Sequence, residues 1–295
     1  MRFQDDLGME QEANESRQLA GRDDTIEVPA DAATAADVTA AIQEQDREAE
    51  AFALEFVGKV LRLRGVRIDR EQYLTSELRR RGVGAEVIAR AVAERPAVAG
   101  VPAEILEVIA RQSIAFETKK STGLAFAAGL PGGFFMLGTV PTDIAQYYVH
   151  AFRIMQKLAY LYGWQSFLDD CDDMDDETLG KFGTLLGVML GVAGANTALT
   201  GFANTVARPA VQKQIAGKAL TKTAYYPAIK QTLRRVGVEI NKQIFARTAA
   251  KIVPVIGGLV SGGLTYAGLK TGSKRLMQHL QTLPPAWPVD GPAES

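Results

Sequence analysis

From Ala49 onward apolar side chains recur at helical spacing. Phe52, Phe56, Val57, Val60, Leu61 and Leu63, with Leu54, supply a broad apolar face that Gly65 can end. In IDREQYLTSELRRRG, Asp69 and Gln72 have capping-box spacing, and Gly82 and Gly84 mark the far end. A short helix through Val87, Ile88 and Val92 is expected to stop at Pro96. Another starts near Pro102 and carries Ile105, Leu106, Val108, Ile109, Ile114 and Phe116 at mostly helical spacing. Residues 1 to about 45 have no apolar periodicity and read as a disordered or loosely helical tail. The pattern predicts an all-α fold.

The middle of the chain changes character. No charge occurs from Ser121 to Thr142, from Phe182 to Ala207, or from Ile252 to Leu269, runs of 22, 26 and 18 residues. Those are the lengths of membrane spans, yet Pro131, Gly132, Gly133, Pro254 and Gly257 punctuate two of them and asparagines dilute the third. Gly183, Gly187 and Gly191 stand four apart, as do Gly258 and Gly262, which predicts close helix crossings inside the fold or, in lipid, between spans.

After Pro141 a predicted helix carries Asp143, Gln146, His150, Arg153, Lys157 and Tyr160 at spacings of three and four, one polar stripe on an otherwise apolar helix. Two readings stay open. The stripe is the wet face of a core helix, or it turns inward and lines a cleft where Gln146, His150 and Arg153 meet an anion or a headgroup. No nucleophile is tied to His150 by spacing, so no catalytic residue is assigned.

Composition narrows the chemistry. One cysteine and two histidines leave no internal disulfide and too few ligands for a zinc site, and no metal or other cofactor is expected. The acidic run Asp169–Glu177 fails the calcium-loop register, because Met174 takes the fifth position from Asp170. Gly268 to Lys274 has the wrong spacing for a phosphate loop.

Charge is split along the chain. Residues 1–60 hold fifteen acids against five Lys or Arg, whereas 208–275 hold thirteen Lys or Arg against Glu239. The two regions meet different surroundings or screen one another. Lys213, Lys218, Lys222, Lys230, Arg234 and Arg235 alternate with apolar residues, the pattern of a helix lying on an anionic membrane. The charges interleave with apolar side chains rather than with stacking aromatics, and no nucleic-acid module is recognised, so nucleic acid is not expected as a partner.

The runs GLPGGFFMLGTVPTDIAQYYVHAFRIMQKLAYLYGW and IVPVIGGLVSGGLTYAGLKTGSKRLMQHL, with VRIDREQYL near the start, resemble the bacterial EcsC family over about residues 50–282. The combination of Leu130, Pro131, Gly132, Gly133, Pro141, Asp143, Tyr162 and Gly163 with Val253, Pro254 and Gly257 carries the resemblance. A weaker likeness runs to the hydrophobic domain that trails some bacterial GTPases. The resemblance implies a bacterial accessory protein, cytoplasmic and peripheral at the inner face of the cell membrane, with a transporter-like membrane protein as a possible partner. It carries over no catalytic residue.

The expected organisation is an acidic tail over 1–46, a helical domain over 47–282 whose glycine-rich segments form hairpins, and a Pro-rich tail over 283–295. The expected function is that of an accessory protein at a membrane surface. The alternatives are a small-molecule or headgroup binder, or an enzyme, using the stripe around His150, and a membrane-perturbing effector.

Overall fold

The computed structural model describes residues 35–63, 65–121, 140, 142–165, 176–206, 226–250 and 258–287. Among these the chain is all-α, with no strand. In order come α1 (Ala35–Leu61), α2 (Arg70–Arg80), α3 (Ala85–Ala93), α4 (Ala103–Ser121) and α5 (Thr142–Leu161). They are followed by α6 (Asp176–Leu190), α7 (Ala195–Val206), α8 (Tyr226–Ala250), α9 (Gly258–Gln281) and a 3₁₀ turn at Pro284–Ala286. Contact density divides the chain after Glu44. In the first unit the described part is the start of α1, whose Val38 and Ile42 are exposed. Helix therefore begins twelve residues before the expected domain start at 47.

The second unit is built around α5. Its neighbours are α4, α9, α2 and α6, and from Ile144 to Leu161 only Gln146, Tyr147 and Arg153 escape full burial. Apolar contacts explain the position. Tyr148 meets Phe56 of α1 edge-on at 5.2 Å, and Phe152 meets Phe182 of α6 edge-on at 5.4 Å. Local signals set the helix ends: Asp69 accepts a hydrogen bond from the Gln72 backbone N–H at 2.7 Å, the expected N-cap.

The uncharged run 182–207 forms the α6–α7 hairpin. Gly191 is not part of the helical row: it takes φ +67° just after α6, and Val192 N donates to Gly187 O at 2.9 Å in a Schellman-type stop. The other two glycines of the row, Gly183 and Gly187, face α8. A Cβ on Gly183 would lie 2.8 Å from Ile229, and one on Gly187 would lie 2.6 Å from Thr232 Oγ1 and 3.0 Å from Ala195 Cβ. The row thus packs within the chain. Gly187→Leu should destabilise by roughly 1–3 kcal/mol through overpacking, read as a lower urea midpoint; an unchanged midpoint would refute the close crossing. The run 121–142 lies almost wholly outside the described residues, and of the run 252–269 only helix from Gly258 is described.

The end of the chain departs from the expected tail over 283–295. Leu283 and Pro285 are buried, and the 3₁₀ turn sits on the Tyr162–Gly163 corner that ends α5. Gly163 has φ +86°, and a Cβ there would stand 1.9 Å from the Pro285 carbonyl oxygen. Gln281 donates to the Tyr162 hydroxyl at 3.0 Å, while Trp164 stacks on Phe202 at 5.6 Å. A Pro-rich composition signals a chain without internal helix, but docking on a glycine corner needs none. Beyond Trp287 the residues are outside those described.

Candidate functional site

The polar stripe of α5 turns inward, against α4. In α4 the buried row Leu106, Ala110, Ser113 and Glu117 has spacings of four, three and four, so its last member is a carboxylate on an apolar face. Glu117 is fully buried, and three stripe residues converge on it. His150 Nδ1 lies 2.7 Å from Oε2, Arg153 Nε donates to both oxygens at 3.1 Å, and Lys157 Nζ donates to Oε1 at 2.5 Å. His150 is 1% exposed and Lys157 is 8% exposed, while the Arg153 side chain reaches the surface.

Aromatic rings complete the surroundings. Lys157 Nζ stands 5.7 Å from the Tyr73 ring centroid and 5.2 Å from that of Phe116, and the Tyr73 and Ser113 hydroxyls bond at 2.7 Å. Two stripe-side residues also fasten the turn before α2. Gln156 accepts from Ile68 N at 3.0 Å and donates to Val66 O at 2.9 Å, and Arg153 Nη1 donates to Gly65 O. Gln156 lies one residue off the row of the stripe. Buried hydrogen bonds of this kind hold the turn in one register.

Burial alone would raise the Glu117 pKa. The hydrogen bond from His150 and the charges of Lys157 and Arg153 overcome it and pull the carboxyl down to about 2. Burial pushes the Lys157 ammonium down from its ordinary value, opposed by Glu117. The sign of the linkage follows from the carboxylate. Its folded pKa lies below the ordinary 4.5, so its contribution is fully present above about pH 4.5 and lost as pH falls towards 2. Between pH 5 and 2 the wild type should therefore lose on the order of 3 kcal/mol more stability than Glu117→Gln. Urea midpoints across that range test it, and parallel curves for the two proteins would count against an ionised Glu117.

The other candidates separate into groups. Asp143 lies in the first turn of α5 with its side chain outside the described residues, and Gln146 is half-buried one turn before His150 and is not among the described contacts of the cluster. Leu130, Pro131, Gly132, Gly133, Pro141, Pro254 and Gly257 fall outside the described residues, as do Lys213, Lys218 and Lys222. Lys230 pairs with Glu50 at 3.6 Å and Arg234 with Asp46 at 2.8 Å, so two of the basic candidates face acids of α1; Arg235 is exposed. Burial raises the Glu50 pKa from its ordinary value, with the Lys230 charge opposing.

Glu117 is the functional candidate that sequence reasoning missed. Its signal was present as one charge on the buried row of α4, but its partners lie 33 to 40 residues away. Another missed residue, Arg70, stands in the VRIDREQYL run. It donates to the α3 carbonyls of Val92 at 2.5 Å and Ala91 at 3.3 Å and to Glu94 O at 3.1 Å, tying α2 to the end of α3.

Fold and site together define an all-α protein whose central helix carries a buried charged cluster. No family model, no curated protein and no solved structure matches the chain. Among the described residues no helix is long and apolar enough to cross a membrane.

Proposed function

We propose that this protein is a non-enzymatic, EcsC-like accessory protein that acts peripherally at an anionic membrane surface on the cytoplasmic side, beside a transporter-like partner. One observation carries the membrane contact. Phe116 is 49% exposed on the last turns of α4, Lys120 covers its ring at 4.5 Å, and the uncharged run Ser121–Thr142 follows at once. An exposed aromatic ring beside lysines suits the lipid interface, where the ring enters the headgroup layer and the ammonium meets phosphate. The pairing of Lys230 and Arg234 with α1 moves the weight of this reading from α8 to the end of α4.

Flotation with vesicles of phosphatidylcholine and phosphatidylglycerol tests it. Binding is expected at low salt and should be largely lost near 1 M salt, where screening acts within about 3 Å. Failure to float at low salt would remove the membrane reading. A second reading, a small-molecule binder or enzyme, is favoured by the 2.7 Å contact between His150 and Glu117, since a carboxylate orients and activates an imidazole. A ligand whose binding disappears in His150→Asn without a change in unfolding midpoint would establish it instead.

A further inference from the structure

The outer face of α4 carries a row in steps of four residues: Glu104, Val108, Gln112, Phe116 and Lys120, all of them exposed. Such a row is one continuous ridge on a helix surface. Val108 is 41% and Phe116 49% exposed, two of the five large apolar side chains left open among the described residues. Gln112 is the midpoint of the ridge. Four positions to either side of it stands an apolar residue, and eight positions out stand an acid on the N-terminal side and a base on the C-terminal side. Neither Glu104 nor Lys120 has an ion-pair partner among the described residues, whereas Arg111, beside the ridge, is held by Glu107 at 2.5 Å. Arg81 donates to the amide oxygen of Gln112 and so fixes the midpoint.

We propose that this ridge is a homodimer interface, on which a second copy of the chain packs its own α4 antiparallel about a two-fold axis at Gln112. The ridge is complementary to itself in that sense. Glu104 meets the partner's Lys120, Val108 meets the partner's Phe116, and symmetry makes each contact twice. A parallel copy would set acid on acid and base on base, so charge selects the antiparallel one. The apolar pairs lose their water near the axis while the charged pairs stay at the rim, the usual division of an interface. Because α4 is 19 residues long and supplies a single helix pair, the association belongs to the small, reversible class. The dimer needs no lipid and does not rest on the membrane reading. It covers the ring that the membrane reading places among headgroups, so the two states exclude one another at α4.

Sedimentation equilibrium of the full chain in lipid-free buffer tests it, at about 100 μM to suit an interface below the standard size. Wild type is expected at twice 31.8 kDa. Glu104→Lys and Lys120→Glu should each weaken association roughly tenfold or more, because each reversal sets like charges together on both sides of the axis. Mixing the two variants in equal amounts should recover the dimer, since each then faces its complement. Both positions are exposed, so unchanged helix content by circular dichroism is expected for each variant. A wild type that stays at 31.8 kDa would overturn the proposal. So would a dimer that neither reversal weakens, or a mixture of the variants that stays monomeric. None of these outcomes bears on vesicle flotation, which tests the membrane reading separately.

Discussion

Replacing Glu117 with alanine is expected to cost about 3–5 kcal/mol of folding stability, the usual penalty for removing one partner of a buried ion pair. The loss has two sources. Lys157, 8% exposed, would lose the carboxylate that supports its charge against burial and retain only the faces of Tyr73 and Phe116. Arg153 would lose its Nε acceptors, which also loosens its hold on Gly65 O. Removing both charges should be milder: Glu117→Leu combined with Lys157→Met replaces a costly pair by apolar volume, and is expected to destabilise less than Glu117→Ala. Urea unfolding of the variants is the measurement. A loss below about 1 kcal/mol for Glu117→Ala, the range of exposed pairs, would show that the cluster is solvated in solution.

Gly237→Ala should be among the most damaging single methyl additions in the described fold. The new Cβ would stand 2.0 Å from the backbone oxygen of Ala49 and 2.6 Å from its carbonyl carbon. Neither atom can rotate away, so α1 and α8 must separate, and with them the Arg234–Asp46 pair at 2.8 Å. A cost at or above the top of the overpacking range, about 3 kcal/mol, is expected. Gly201→Ala is the matched control: it sits in α7 with nothing within 4 Å of an added Cβ, and should gain up to about 1 kcal/mol from helix propensity. Thermal unfolding of the two variants separates the effects. Equal midpoints would mean that the α1–α8 approach is not as close as 2.0 Å implies.

Helical class and most helix positions were legible in the residues because the signals are local. The helix after Pro141 runs over Thr142–Leu161 as its apolar spacing predicts, and the Asp69 cap involves residues three apart. The Gly183–Gly187 row was legible as a close crossing for the same reason, since a missing Cβ on one face is a property of one helix. Gly237 was not legible: it is a lone glycine in a basic helix and belongs to no row.

The orientation of the α5 stripe was decided by the tertiary structure. Periodicity places His150, Arg153 and Lys157 on one face, but it does not say whether water or a carboxylate lies opposite. Only the packing of α4 brings the buried Glu117 there. The same holds for Lys230 and Arg234, whose spacing fits a membrane face and whose acids come from α1. It holds too for Leu283–Trp287, where composition reads as tail and a glycine corner provides the seat. Spacing along one helix is encoded by neighbouring residues, and so the sequence by itself determined the helices and their faces. What each face meets depends on segments far apart in the chain, and that only the packed fold decided.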